Sequence, residues 1–302
     1  MILNSVDVSI ALIETEGSYL CLHRTTNPFR NYIEFPGGKS IKPETNSECL
    51  CRELEEELDI ICEKFKFIGT IKHLYDEIFV NINVYKVFKY KGIIKSKENR
   101  KITWYNDSLD TKNILPTHHR ILRLMNVPRI LKIVSPDNIT EFLSDISVSN
   151  PYQNIRLRNI DYEHYKSSLS KYLIDSNYFG KIIVDYPHNL KWEESYSGIH
   201  YKSKYINEFS RETHNNKILV SASCHTLEEI ELCNKKIFDF ILLSPIVKSN
   251  YKSDTLGWKT FNNYCKHSFS PCLALGGMSS LNDNYISSIN NNGFGIAGIG
   301  SI

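Results

Sequence analysis

After Pro128 the chain carries eight short, nearly continuous apolar runs: ILKIV, NIRLR, KIIVDY, SGIHY, KILVSAS, DFILLS, CLALGG and GFGIAGI. They recur at intervals of roughly 20 to 30 residues, with polar or helical stretches between them. Short strands without polar alternation must be covered on both faces, which a parallel sheet wrapped in helices provides. Eight such strands predict a closed (β/α)8 barrel over residues 130–302. An open doubly wound sheet is the alternative that the same pattern admits.

The residues before this follow another pattern. VDVSIALIE, YLCLHR, KFIGTIKHLY and IFVNINVYKVFKY read as strands, and from Ser47 to Leu58 the residues Leu50, Cys51, Leu54 and Leu58 fall on one stripe of a helix. Glu53, Glu56 and Glu57 project from a neighbouring stripe. A second amphipathic segment, His118 to Met125, is interrupted by NVP at 126–128, because proline disfavours helical geometry in its predecessor. The boundary falls there, giving domains of 1–126 and 130–302, as expected of a chain of 302 residues.

Composition excludes several partners. Thirty-six Lys and Arg against 34 Asp and Glu leave a net charge of +2, far from the dense positive field that binds a nucleic-acid duplex. A free nucleotide remains compatible. No apolar run approaches the roughly 18 to 20 residues that span a bilayer, and the N-terminus lacks a cationic start, so neither membrane nor secretion is expected and the location reads as cytoplasmic. The eight cysteines are scattered, and Cys49 and Cys51 stand too close for a zinc knuckle, so they read as reduced thiols.

Chemistry concentrates in GKSIKPETNSECLCRELEEELDI, Gly38 to Ile60. Residues at i, i+3 and i+4 share a helix face, which gathers the carboxylates of Glu53, Glu56 and Glu57. Like charges so close repel unless a cation sits among them, and all-oxygen clusters suit Mg2+ or Mn2+, which bridge to phosphates. The preceding PGG lets a backbone carbonyl approach the same cation. Three glutamates alone are an ordinary solvated helix face; Gly38, Glu44 and Arg52 in register set them apart.

This segment resembles the Nudix box of nucleotide pyrophosphohydrolases, matched by Gly38, Glu44, Arg52, Glu53, Leu54, Glu56, Glu57 and Ile60. Asp59 stands where the family has glycine, at a left-handed helix end that Asp tolerates with modest strain. The resemblance implies a Nudix α/β/α sandwich. In it Glu53, Glu56, Glu57 and the Gly37 carbonyl hold Mg2+, with Mn2+ as a substitute, and Arg52 orients a carboxylate by a bidentate pair. Glu44 supports the arrangement. LHR and EFPGGK at 34–39 narrow the likeness to the MutT branch, the 8-oxo-dGTP diphosphatases. By that likeness Arg24 holds the nucleotide, and Glu34, Phe35, Pro36 and Gly37 lie beside the base. Glu98, six residues before Trp104, completes the metal cluster and acts as general base. In PTHHRIL, His118 replaces the asparagine that reads the oxidised purine edge, and an imidazole lacks an amide's paired donor and acceptor. The implied reaction is Mg2+-dependent release of pyrophosphate from a nucleoside triphosphate, 8-oxo-dGTP foremost, which cleanses the nucleotide pool and protects DNA.

The second half is similar to thiamine phosphate synthase and its non-catalytic relatives, through LVSASCHTLEEI at 219–230, FILLSPIVKSNYK at 240–252, LGW at 256–258 and LALGGM at 273–278. The GG pair and GIAGIG suit phosphate binding by backbone amides, or are tight barrel turns. The departures weigh against catalysis. Arg156-Leu157-Arg158-Asn159-Ile160 stands where the synthase has Gln-Leu-Arg-Glu-Lys, Val184-Asp185 replaces Asn-Asp, and GIHYKSK offers no aspartate for magnesium. Lys252 remains where a phosphate-binding lysine falls. The expectation is a barrel that binds a small phosphate or a regulatory ligand, or only supports the first domain, without synthase activity. Two readings compete with the leading one: a Nudix hydrolase of a thiamine-related diphosphate, and a hydrolase governed by a ligand-sensing barrel.

Overall fold

The computed structural model describes residues 5–75, 78–106, 113–144, 154–175, 180–187, 196–248, 254–278 and 281–299. It divides into two compact units, Met1–Met125 and Asn126–Ile302.

In the first unit β1 (Ser5–Thr15) and β2 (Ser18–His23) form an antiparallel hairpin. Its turn residues, Glu16 and Gly17, both have positive φ, 51° and 73°, the twist that a two-residue hairpin requires. Two short strands follow, β3 (Ile33–Glu34) and β4 (Gly37–Lys39), then α1 (Asn46–Leu58), β5 (Ile61–Tyr75), β6 (Ile78–Lys91), β7 (Ile102–Tyr105) and α2 (His118–Leu124). The seven strands form one sheet along the path β3-β2-β1-β6-β5, with β4 added to β1 and β7 to β2. β1 runs parallel to β6 and antiparallel to β4, which sets Gly37 opposite Ile10 and Gly38 opposite Ser9. The β5–β6 pairing is broken by register shifts at Cys62/Lys64, Lys64/Phe65 and Phe67/Gly69.

Helix α1 buries Leu50, Leu54 and Leu58 against Ala11, Ile13, Leu20, Leu22 and Ile60. Each leucine contributes roughly 1.5–3 kcal/mol of burial. Cys51, which the spacing places on this stripe, stays half-buried, and Cys49 is the cysteine that points inward. The helix starts on a capping box, with Thr45 accepting from the Glu48 amide and Glu48 accepting from the Thr45 amide. Asp59 ends it in the left-handed region at φ 59°, ψ 37°, as the glycine of the box would.

The second unit is a closed barrel of eight strands. They are β8 (Ile130–Val134), β9 (Asn154–Leu157), β10 (Ile182–Tyr186), β11 (Gly198–Tyr201), β12 (Leu219–Cys224), β13 (Phe240–Leu243), β14 (Cys272–Leu275) and β15 (Gly295–Gly298). Every neighbouring pair is parallel, and β15 returns to β8. The open sheet is thereby set aside. Helices α3 (Ile139–Ser144), α4 (Tyr162–Asp175), α5 (Leu227–Lys236), α6 (Gly257–His267) and α7 (Leu281–Asn290) lie on the connections. After β11 the described connection is two 3-10 turns, Ser203–Glu208 and Arg211–Thr213, with no α-helix, one way in which the barrel is kept short. All eight cysteines are free thiols. Among the described residues no helix is long and apolar enough to cross a membrane.

Candidate active site

The PGG loop and the face of α1 meet because β4 pairs with the first half of β1. At Gly38 a Cβ would come within 2.3 Å of Glu53 Oε1, so the absent side chain is the seat of that carboxylate. At Gly37, φ is 138° and a Cβ would fall 2.1 Å from the Ser9 carbonyl oxygen, so only glycine fits. The Gly37 amide donates to Glu57 Oε2 at 2.8 Å. Helix register and loop backbone thus fix Glu53 and Glu57 against EFPGGK.

Two guanidiniums neutralise these acids. Arg52 forks onto Glu44, Nε to Oε2 at 2.9 Å and Nη2 to Oε1 at 2.8 Å, the bidentate geometry that arginine favours. Its Nη1 donates to Glu53 Oε1 and to Glu56 Oε2, both at 2.9 Å. The Glu44 carboxyl is pulled down to about 2, first by Arg52 and then by the Ile41 amide. Glu53, half-buried, has its pKa raised by desolvation, against the pull of Arg52. Glu57 is 6% exposed, and burial pushes it up to about 7 although Arg100 and the Gly37 amide pull the other way.

Arg100 is the second guanidinium and is absent from the sequence expectations. It is buried, donating through Nη1 to Glu57 Oε1 and through Nη2 to Glu34 Oε1, while Arg24 Nη1 donates to Glu34 Oε2. Glu98, predicted beside the helix acids, is exposed on its loop with Oε2 3.8 Å from Arg100 Nη1. Glu56 is likewise solvent-facing.

A cavity of about 550 Å³ opens beside this network. Arg24, Glu34, Gly37, Gly38, Glu57 and Arg100 line one part, and Phe29, Phe35, Tyr75, Thr117 and His118 another. Of the predicted residues, Arg24, Glu34, Phe35, Gly37, Glu57 and His118 therefore share the cavity. Arg52, Glu53, Glu56 and Glu98 are not among its lining, and buried Pro36 contributes its carbonyl to the Ala11 amide at 2.9 Å. His118 stacks on Phe35 with ring centres 4.3 Å apart at 12°, and Tyr105 meets it edge-on at 4.4 Å. Neither His118 ring nitrogen has a hydrogen-bond partner among the described residues. Burial, reinforced by His119, holds its pKa down to about 3, so the ring is neutral, with one donor and one acceptor.

Among the described residues no three acidic, imidazole or thiol groups converge as a metal shell. The donor set nevertheless fits a hard divalent cation. Glu53 and Glu57 are oxygen ligands held against a glycine backbone that leaves room for them, and two cationic side chains now balance the charge that such an ion would balance.

In the barrel, Arg156 Nε donates to Asp185 Oδ1 at 2.8 Å, both buried, and Lys202 Nζ lies 3.8 Å from Asp185 Oδ2. His200 is enclosed, its ring nitrogens 2.9 and 2.8 Å from the hydroxyls of Ser221 and Ser223. Burial drives its pKa far down, leaving it neutral. Ile160, where the resemblance looks for lysine, is buried. Lys252 lies outside the described residues.

Residues 3–125 match the family described as NUDIX domain, and residues 172–302 the one described as Thiamine monophosphate synthase. Over 93 residues, 31% of this chain and 70% of the relative, the chain is 37% identical to an 8-oxo-dGTP diphosphatase of Buchnera aphidicola subsp. Schizaphis graminum. Over 100 residues, 33% of this chain and 74% of the relative, it is 25% identical to a CTP pyrophosphohydrolase of Escherichia coli. Among solved structures, a MutT NUDIX hydrolase from Burkholderia pseudomallei is 22% identical with a TM-score of 0.38, covering 40% of this chain and 98% of that one.

Proposed function

The chain belongs to the Nudix family through residues 3–125, and on that premise we propose that its first unit is a Mg2+-dependent pyrophosphohydrolase of nucleoside triphosphates, with 8-oxo-dGTP as the leading substrate. The observation that carries this is a single cavity with Glu57, Gly37 and two arginines in one part and the rings of Phe35, Phe29, Tyr75 and His118 in the other. A polyphosphate needs the first and a nucleobase the second.

Glu53, Glu56, Glu57 and the Gly37 carbonyl are the oxygens that would hold Mg2+, or Mn2+ in its stead. Such an ion, when bound, neutralises phosphate charge and favours attack by water at phosphorus. The protein's own part is positional. The Gly37 amide and the seat at Gly38 keep Glu57 and Glu53 in place, and Arg52 fixes the helix acids relative to the loop. Arg24 meets the polyphosphate beside Glu34, and the Phe35–His118 pair flanks the base. Glu98, exposed and 3.8 Å from the cavity-lining Arg100, is the carboxylate assigned to accept the proton from attacking water. For the barrel we propose a supporting or ligand-binding role without synthase chemistry, since Asp185 is already engaged by Arg156 and Ile160 takes the place of a diphosphate lysine.

The test is turnover by the full chain with Mg2+, read as pyrophosphate release from 8-oxo-dGTP, dGTP and CTP and as orthophosphate release from hydroxymethylpyrimidine and thiamine diphosphates. The last two belong in the panel because residues 172–302 match a thiamine monophosphate synthase. Faster turnover of 8-oxo-dGTP, abolished by Glu57→Gln, is expected. No release from any nucleotide, with Glu57→Gln indistinguishable, would sink the proposal, and preference for a thiamine-related diphosphate would redirect it.

A further inference from the structure

One cation of this site belongs neither to the box motif nor to the residues assigned to the nucleotide. Arg100 is 8% exposed, yet it lines the cavity. Its backbone and stem are anchored, the amide donating to Ser96 Oγ at 2.7 Å and Nε to the His23 carbonyl at 3.1 Å. Only the outer nitrogens touch acids: Nη1 to Glu57 and Nη2 to Glu34.

Both oxygens of Glu57 are thereby engaged, Oε1 by Arg100 and Oε2 by the Gly37 amide. The amide cannot yield. Gly37 is paired with Ile10 in the sheet and packed so closely on Ser9 that a Cβ would overlap its carbonyl. The guanidinium can yield, because its outer nitrogens border open volume. A divalent cation at Glu57 Oε1 would stand against the Arg100 guanidinium, like charge against like, so the carboxylate takes the ion as Arg100 leaves it. Once detached, the guanidinium lies in the same cavity as Arg24, and an unpaired buried charge is costly unless a new anion receives it.

Resting on the reading that this cavity takes a nucleoside triphosphate with a divalent cation, we propose that Arg100 is an exchangeable counter-cation. In the metal-free protein it neutralises Glu57 and Glu34. When Glu57 accepts a divalent cation, Arg100 releases it and transfers its charge to the polyphosphate, becoming a phosphate-binding residue. Metal and nucleotide then bind cooperatively, since each is favoured by the rearrangement that the other requires.

Mn2+ binding to the full chain, followed by electron paramagnetic resonance without nucleotide, tests the exchange. Arg100→Gln removes the competitor and is expected to bind Mn2+ about tenfold more tightly than the wild type. Its KM for the nucleotide should rise by a similar factor, about tenfold, with kcat changing less. Equal Mn2+ affinity, or an unchanged KM, overturns the proposal. A second measurement needs only a folded wild type: the Arg100 Nε–H resonance, assigned by its absence in Arg100→Lys, is expected to shift on addition of Mg2+ and again on addition of a non-hydrolysable nucleotide. Indifference to saturating Mg2+ overturns the proposal even if Arg100→Gln does not fold. If the wild type hydrolyses nucleotide but the two affinities agree, the exchange alone fails. If neither protein binds Mn2+ nor releases pyrophosphate, the metal-dependent reading fails with it.

Discussion

Two arginines divide the acids of the site. Arg52 serves Glu44, Glu53 and Glu56 outside the cavity, and Arg100 serves Glu34 and Glu57 within it. The first was legible through the likeness to the box, which gives Arg52 a carboxylate to orient; that the bidentate partner is Glu44 came only from the structure. The second was not, because Arg100 sits in a loop without periodicity and meets Glu57 only through folding. Its one sequence signal is a charge balance: Glu34 and Glu57 brought to one place require more than Arg24. His118 was legible as a departure, though its stacking on Phe35 was not. With both ring nitrogens unpartnered, His118→Asn should restore an amide facing the base and raise the preference for 8-oxo-dGTP over dGTP by roughly five- to tenfold, about the worth of one hydrogen bond. An unchanged ratio of kcat/KM values would show that the base is read elsewhere. The same residue contributes to acid behaviour. Burial lowers His118 from 6.5 to about 3 and His73 to about 4, so below pH 6.5 the unfolded chain binds protons that the folded one refuses. The stability held above pH 6.5 is therefore lost progressively as pH falls toward 4 and 3. Urea midpoints should drop between pH 7.5 and 5, and His118→Phe should flatten that dependence.

At the scale of elements, α1 carries most of the chemistry, and its leucine stripe and its left-handed end at Asp59 were legible, whereas its capping box was not read. Its inward cysteine was misassigned because Cys49, off the leucine stripe, is buried by the Gly38 loop, its Sγ 3.5 Å from the Gly38 carbonyl, a contact that no helical period records. Strands β3 and β4, two and three residues long, are too short to show alternation. They exist because β2 and β1 offer them edges, and without β4 the Gly37 amide would not meet Glu57. Removing the N-cap oxygen in Thr45→Ala should cost about 1 kcal/mol of stability, measured by chemical denaturation, without changing Mn2+ affinity. A loss of metal binding in the folded variant would show that the first turn also positions the acids.

For the whole molecule, the eight apolar runs made the barrel legible, since unalternating strands leave few other folds. The shortness of its connections was not, because 3-10 turns such as Ser203–Glu208 carry no periodic signal. Residues 1–125 expressed alone are expected to retain the nucleotide preference and kcat/KM of the full chain. A folded fragment with reduced turnover would assign part of the activity to the second unit. The two sheets also differ in closure. The barrel returns on itself, whereas β5 has a neighbour on one side only among the described strands and exposes Ile61, Phe67 and Leu74. Lys64 and Lys66 stand among these residues, and three register breaks interrupt the ladder, the features by which natural sheets discourage copying of an open edge. By that principle Lys64 and Lys66 are expected to act against fibrous self-association. Exchanging both for valine should leave catalysis intact while turning concentrated solutions toward amyloid-like stacking.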